Sequence, residues 1–385
     1  MKKVMVVYGT RPEAIKVAPV IGALMADDRF TVVPVVTGQH REMLDQVNTL
    51  FGIEPVADLD LMRPGASLTQ LSVASLAALE PVLREHAPDA VVVQGDTSTA
   101  FIAALAAFYQ GIPVVHLEAG LRTYDLDAPF PEEANRQLLS RVAALHLAPT
   151  PSARENLAQE HTSPASIAVT GNTVIDALMQ AIQQEPTYTE PAVAQMVSSG
   201  ERFVLVTAHR RESWGQPMRN AMTAVRRVAE KHPELRWVVP MHRNPVVRDV
   251  VRDTLEGLDR VLLCEPLDYH EFCHVMKAAY LVLSDSGGVQ EEGPSLASPV
   301  LVMRDTTERP EAVDAGAVRL VGTDTNVVAD ALSELIENVE VHASMARAVN
   351  PYGDGVAARR SVAAIAHHFG LGDREPDFDP HHHGD

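Results

Sequence analysis

The chain is poor in cysteine, in aromatic side chains and in positive charge, and each shortage excludes something. Its 385 residues include two cysteines, Cys264 and Cys273, which fits a reduced, cytoplasmic protein with two buried thiols. Lys and Arg number 32 against 51 Asp and Glu, a formal charge of −19. A sequence-independent nucleic-acid partner needs a basic face, so that class is set aside. An anionic small ligand is not, because a local cluster of Arg and His can outweigh the global field. No stretch approaches the roughly 18 apolar residues of a membrane helix. No signal peptide is read from "MKKVMVVYGT", whose apolar run is only a strand's length. There is no G-x-G-x-x-G and no Walker A motif, so neither dinucleotide nor ATP binding in the usual manner is supported, and no cofactor is expected. The histidines at strand ends fall on separate strands and no cysteine has ligand spacing, so no metal is expected either.

What is present is one pattern, repeated. A short apolar, β-branched run ends in small or polar residues, and an Ala/Leu-rich helical segment follows. The first half has "KVMVVYG", "TVVPVVTG", "AVVVQGD", "PVVHLEAG", "ALHLAPT" and "SIAVTGN"; the second has "FVLVTAHR", "RWVVPMH", "RVLLCEP", "LVLSDSG", "PVLVMR" and "VRLVG". None shows period-2 alternation. Strands apolar on both faces belong in parallel sheets covered by helices, and alternation of strand and helix implies βαβ units in a doubly wound sheet. Hydrophobic content of 46% suits a globular α/β protein, and the length is comfortable for two domains. Two Rossmann-like domains facing a cleft are therefore expected, 1–172 and 173–352. The break lies near the Pro- and Ser-containing residues 183–203. The tail, 372–385, reads as disordered, with His381, His382 and His383 solvated.

In open α/β sheets ligands bind beyond the carboxyl ends of the strands. In "YGTRPEAIK", Thr10 and Glu13 form a capping box and Pro12 suits a first turn, while Arg11 and Lys16 bring positive charge to a helix start. Asp96 ends one buried strand, where it either caps the next helix or works. Glu118 ends the next, with glycine after it. Glu132 and Glu133 open a helix, where dipole complementarity and a Glu132–Arg136 pair would account for them structurally. Carboxylates clustered at one sheet edge push their pKa values apart, which sets up acid and base roles. In the second half, His209, Arg210, His242 and Arg243 read as an anion-binding edge. In "LVLSDSGGVQEEGP", Gly287 and Gly288 allow close backbone approach and Ser286 offers a hydroxyl, so a diphosphate fits. Glu292, one helical turn on, could accept from ribose hydroxyls. Glu291 has no assigned part beyond a structural contact. Arg309 and Glu311 follow the next strand.

These stretches resemble one family, the bacterial non-hydrolysing UDP-N-acetylglucosamine 2-epimerases. The motifs "GTRPEAIK", "QGDT", "HLEAGLRT", "FPEEANR", "TAHRRES", "MHRNP", "DSGGVQEE" and "TERPE" run in order from residue 9 to residue 311. The resemblance implies two Rossmann-like domains of the two-domain glycosyltransferase (GT-B-like) type and a C-terminal helix, about 353–371, packing back on the first. It implies a cytoplasmic homodimer acting on UDP-GlcNAc and UDP-ManNAc, with UDP eliminated to 2-acetamidoglucal and re-added, in the service of cell-surface polysaccharide synthesis. By motif, Asp96, Glu118 and Glu132 are the acid/base candidates, and Lys16, His209 and Arg11 would hold the diphosphate or the sugar. Ser286, Gly287, Gly288 and Arg309 would meet phosphate, Glu292 the ribose and Phe272 the uracil. Some members hold a second UDP-GlcNAc as activator. Gln39, Arg210 and His242 match that site, whereas Glu42 and Gly65 stand where some regulated members carry glutamine and arginine.

Overall fold

The apolar runs become two parallel sheets. The computed structural model describes residues 1–38, 41–61, 63 and 65–381, and it divides into two units, Met1–Met179 with Tyr352–Asp385, and Gln180–Pro351. In the first unit the strands are β1 (Lys2–Tyr8), β2 (Phe30–Val36), β3 (Ala57–Asp58), β4 (Ala90–Gln94), β5 (Val114–Leu117), β6 (Leu145–Ala148) and β7 (Ile167–Val169). They lie in the order β3-β2-β1-β4-β5-β6-β7, every neighbouring pair parallel. In the second unit they are β8 (Phe203–Thr207), β9 (Arg236–Pro240), β10 (Val261–Cys264), β11 (Leu281–Ser284), β12 (Val300–Val302) and β13 (Val318–Leu320). Their order is β10-β9-β8-β11-β12-β13, again parallel throughout. Both are doubly wound Rossmann sheets, with the strand order reversing between β1 and β4 and between β8 and β11. Those switch points are where such sheets open a crevice for a ligand.

Central strands are buried on both faces. Val4 to Tyr8, Ala90 to Gln94 and Leu281 to Ser284 are all inaccessible, which is why no alternation is visible in them. The core of the second unit gathers Trp237, Leu283 and Leu301 of the sheet with Met222, Val225, Leu332 and Leu335 of the helices over it.

The units part seven residues later than expected at the first boundary. Thr173 Oγ1 donates to the Lys16 carbonyl at 2.6 Å, and the Asp176 carboxylate takes the amides of Ala357 and Ala358 at 3.1 and 2.8 Å. These bonds tie the start of helix Thr173–Ala181 to the first unit, along with the C-terminal helix Ala357–His368, which packs on helix Arg11–Met25. Tyr352 belongs with the first unit too, its carbonyl accepting from the Asn172 amide at 2.6 Å.

The tail departs from the disorder that its composition suggests. Asp377 Oδ1 accepts the Val169 amide at 3.1 Å, the Phe378 amide donates to the Val169 carbonyl at 2.8 Å, and the Phe378 side chain is buried. Strand β7 is an edge, and an open edge presents unpaired backbone groups. The tail satisfies them, a long-range use that local composition does not reveal. His382 and His383 lie outside the described residues.

Candidate functional site

At the carboxyl edge of the first sheet, Glu118 is held from three sides. Lys16 Nζ lies 2.5 Å from Oε1, Asn172 Nδ2 donates to the same oxygen at 3.1 Å, and Gln94 Nε2 donates to Oε2. Its own backbone is left-handed, φ 64°, which costs a non-glycine residue about 1–2 kcal/mol. Three bonds to a charged acceptor, at about 1.5–3 kcal/mol each, outweigh that cost and aim the carboxylate. Gly120 completes the turn: at φ +94°, a methyl there would lie 2.2 Å from the Ala153 carbonyl oxygen, so no other residue fits.

Asp96, one strand over, is half-buried. Arg136 Nε and Nη2 both reach its Oδ2, at 2.8 and 2.7 Å, and Asn135 Nδ2 bonds its backbone carbonyl at 2.9 Å. Arg136 also pairs with Glu133 at 3.2 Å, so the Glu132–Arg136 pair suggested by spacing does not form. Helix phase decides this. Glu133 is fully buried and accepts from the Thr123 and Tyr124 amides and from Gln137, at 3.0, 3.1 and 2.9 Å. Burial pushes its carboxyl up, but Gln137, those amides and Arg136 outweigh it and hold the group below its usual range. Glu132 is half-buried and, among the described residues, makes no hydrogen bond or ion pair. Arg11 is likewise an unpaired, half-buried cation.

Glu13 does more than cap its helix. Its Oε2 takes the amides of Gly9 and Thr10 at 3.0 and 2.7 Å, and its Oε1 takes the Thr97 hydroxyl at 2.5 Å. A buried carboxylate thus clips the β1 loop, with Arg11 and Lys16 just beyond it, to the β4 loop, with Asp96. Burial pushes the Glu13 carboxyl above its usual range against those bonds. From beneath, His116 bonds the Gly95 carbonyl at 2.8 Å. Burial pushes this imidazole down to about 3, so it is neutral.

The second sheet repeats the device. Asp285, fully buried at the end of β11, takes the His209 and Arg210 amides on Oδ2 at 2.9 Å each, and His209 Nδ1 lies 2.9 Å from its Oδ1. Burial pushes Asp285 up, but His209 and the amides win and hold it below the usual range. The His242 ring stands 6.2 Å from that of His209. At the start of helix Gly287–Glu292, a methyl on Gly287 would lie 2.8 Å from Arg309 Nη1 and 3.3 Å from Arg210 Nη2. Two guanidinium groups therefore press on the glycine. Glu291, left without a part by sequence, holds Arg309 through Oε1 at 2.7 Å. Glu308 gathers Arg309, Arg304 at 2.8 Å and Arg210 at 3.5 Å. Burial opposes its charge, yet Arg309 and its neighbours draw it down to about 2. Glu292 is buried and receives the Tyr269 hydroxyl at 2.8 Å. Phe272 lies one helical turn from Tyr269, on the same side of helix Tyr269–Ala278, and is half-buried.

The structure thus brings together Lys16, Asp96 and Glu118 with Arg11 and Glu132 at neighbouring loops of one sheet edge, and His209, Arg210, His242, Ser286 to Gly288, Glu292 and Arg309 on the other sheet. Gln39 lies outside the described residues. Sequence reasoning passed over Glu13, Gln94, Arg136, Asn172 and Asp285 as parts of the site. Only Asp285, at the same strand end as Ser286, carried a local signal. Among the described residues no group of three or more His, Cys, Asp and Glu side chains is arranged to hold a metal ion, and no helix is long and apolar enough to cross a membrane.

The comparisons agree with one another. A family model for UDP-N-acetylglucosamine 2-epimerase matches residues 22–366. A UDP-N-acetylglucosamine 2-epimerase of Yersinia pestis is 50% identical, covering 95% of this chain and 99% of its own. That of Escherichia coli K12 is 48% identical, covering 94% and 98%. The crystal structure of the Neisseria meningitidis UDP-GlcNAc 2-epimerase, bound to UDP-GlcNAc, superposes with a TM-score of 0.87 at 45% identity, over 95% of this chain and all of that one. The chain belongs to the UDP-N-acetylglucosamine 2-epimerase family and is an isomerase.

Proposed function

We propose that the chain interconverts UDP-GlcNAc and UDP-ManNAc by eliminating UDP across C1–C2 to give 2-acetamidoglucal, then adding UDP back with the proton delivered to the other face of C2. The C2 proton of an acetamido sugar is not acidic, so simple deprotonation and reprotonation is too costly. Elimination couples loss of that proton to departure of a stable diphosphate, and it needs carboxylates as base and acid and cations for the leaving group. The observation that carries the reading is the carboxylate edge, where Asp96, Glu118 and Glu132 stand in three different settings. Arg136 holds the first, Lys16 pairs with the second, and the third has no side-chain partner among the described residues. Three carboxylates at one sheet edge supply candidates for both the base and the acid that the reaction needs.

In this reading Arg11, Lys16 and His209 meet the diphosphate or the sugar. Ser286, Gly287, Gly288 and Arg309 meet the phosphates, Glu292 accepts from the ribose, and Phe272 lies against uracil. A homodimer, a second UDP-GlcNAc bound near Gln39, Arg210 and His242, and a supply of ManNAc to cell-surface polysaccharide complete the proposal. The test is turnover of UDP-GlcNAc in heavy water. UDP-ManNAc should form, with deuterium at C2 of both recovered sugar nucleotides. Free sugar as the main product would refute recapture of the intermediate by UDP.

A further inference from the structure

The hydroxyl of Tyr269 reaches the carboxylate proposed for the ribose. We infer that Tyr269 is a specificity-determining positioning residue: its hydroxyl fixes the Glu292 carboxylate toward the ribose hydroxyls, so that the site selects a ribonucleoside diphosphate over a deoxyribonucleoside diphosphate. The inference rests on the reading in which Glu292 accepts from the ribose.

Two helices of the second unit meet in this bond. Tyr269 opens helix Tyr269–Ala278, and a capping box sets its place there. Asp268 Oδ1 accepts the Glu271 amide at 2.8 Å, and Glu271 Oε2 accepts the Asp268 amide at 3.4 Å. The box fixes the phase of the first turn, so Tyr269 shares a side of the helix with Phe272, the uracil candidate. Glu292 ends helix Gly287–Glu292, whose first two residues are phosphate candidates. The Tyr269 hydroxyl donates to Glu292 Oε1 at 2.8 Å. It thereby ties the helix proposed for uracil to the helix proposed for phosphate, at the residue proposed for the sugar between them. Burial, and then Cys273 and Glu292, hold this hydroxyl well above its usual pKa, so the phenol keeps its proton and is the donor. Glu292 Oε2 lies 3.5 Å from the place a methyl on Gly288 would take, and Ser286 Oγ lies 3.9 Å from that same place. Glycine at 288 therefore leaves room beside Oε2, next to the residues proposed for phosphate. Tyr269 and Glu292 are both buried. A glutamate side chain has many rotamers, and a buried donor on one oxygen gives the other a set direction. An analogue that lacks the matching hydroxyl then leaves a buried charged acceptor unmet.

Tyr269→Phe removes only the hydroxyl. Calorimetry on the full chain compares UDP, 2′-deoxy-UDP and 3′-deoxy-UDP with wild type, Tyr269→Phe and Glu292→Gln. Wild type should bind UDP about 10-fold or more tighter than at least one of the deoxy compounds, the scale of one hydrogen bond to a charged group. In Tyr269→Phe that ratio should fall below about threefold through weaker binding of UDP, while affinity for the same deoxy compound stays within about threefold of wild type, since two groups acting on one contact do not add. A purely structural role weakens UDP and the deoxy compounds alike and leaves the ratio unchanged, which overturns the inference. So does a variant that binds UDP as wild type does. A variant that binds none of the three, or that no longer unfolds cooperatively, marks a structural residue and counts equally against it. If wild type binds all three alike, or Glu292→Gln keeps the wild-type ratio, the ribose reading of Glu292 has failed before Tyr269 is consulted, and the inference falls with it.

Discussion

Glu132 and Glu133 are adjacent and chemically alike, and the structure gives them opposite situations. Glu133 is enclosed and takes hydrogen bonds from two amides, Gln137 and Arg136; it also helps hold the arginine that holds Asp96. Replacing one such acceptor leaves buried donors unmet, at about 1–3 kcal/mol. Glu132 is half-buried, and its side chain is unpaired among the described residues. Glu133→Gln should therefore lower stability to denaturant by about 1–3 kcal/mol. Glu132→Gln should stay within about 0.5 kcal/mol of wild type while losing 10²-fold or more of its turnover, if it supplies a proton or takes one. Urea unfolding and initial rates on both variants give the answer, and a Glu132→Gln enzyme with normal turnover removes that residue from the acid/base set. No spacing rule could have separated the two, because the phase of a helix start depends on what it packs against. Asp96 and Glu118 were legible for the converse reason: a carboxylate ending a buried apolar run is conspicuous. Their partners Gln94, Arg136 and Asn172 come from other loops, and only the strand order β4-β5 and the course of the chain after β7 bring them there.

At the scale of elements, the runs "AVVVQ" and "LVLS" are readable as buried parallel strands from their lack of alternation alone. The order of strands in each sheet is not, since every run looks like every other. The fastening of the C-terminal helix is also invisible in sequence, because Asp176 sits in a helix among apolar residues as though it were a surface acid. Its carboxylate receives the first two amides of helix Ala357–His368, and burial raises its pKa from 3.8 to about 6 despite those bonds. The native state therefore binds a proton more tightly than the unfolded chain. Stability from this group is complete below about pH 4 and is lost as pH rises through about 6. A shift of about two units corresponds to about 2–3 kcal/mol. Asp176→Asn cannot titrate, so the stability of wild type minus that of the variant should decline by that amount between pH 4 and pH 7. Parallel curves for the two proteins across this range would show that Asp176 is not proton-linked to folding.

For the whole molecule, the chain crosses its own order: the last 34 residues belong with the first 179. The helix Ala357–His368, with Ala358, Val362 and Ile365 buried, packs on helix Arg11–Met25 and on β6, and the segment to Phe378 covers the free edge of β7. Ending the chain at Pro351 removes this face and that edge cover together, and takes from Asp176 the amides of Ala357 and Ala358. The proposed phosphate and ribose contacts, Ser286 to Gly288, Glu292 and Arg309, all lie in the other unit, whose core of Trp237, Leu283, Leu301 and Leu332 is intact without the tail. The two units should respond differently. Limited proteolysis of the truncated chain should cut first within residues 1–179 and spare 180–351. Turnover should be lost, and UDP, followed by calorimetry, should still bind within about tenfold of its affinity for the full chain. Cutting that begins in 180–351, or loss of UDP binding along with turnover, would mean that the tail supports the second unit as well.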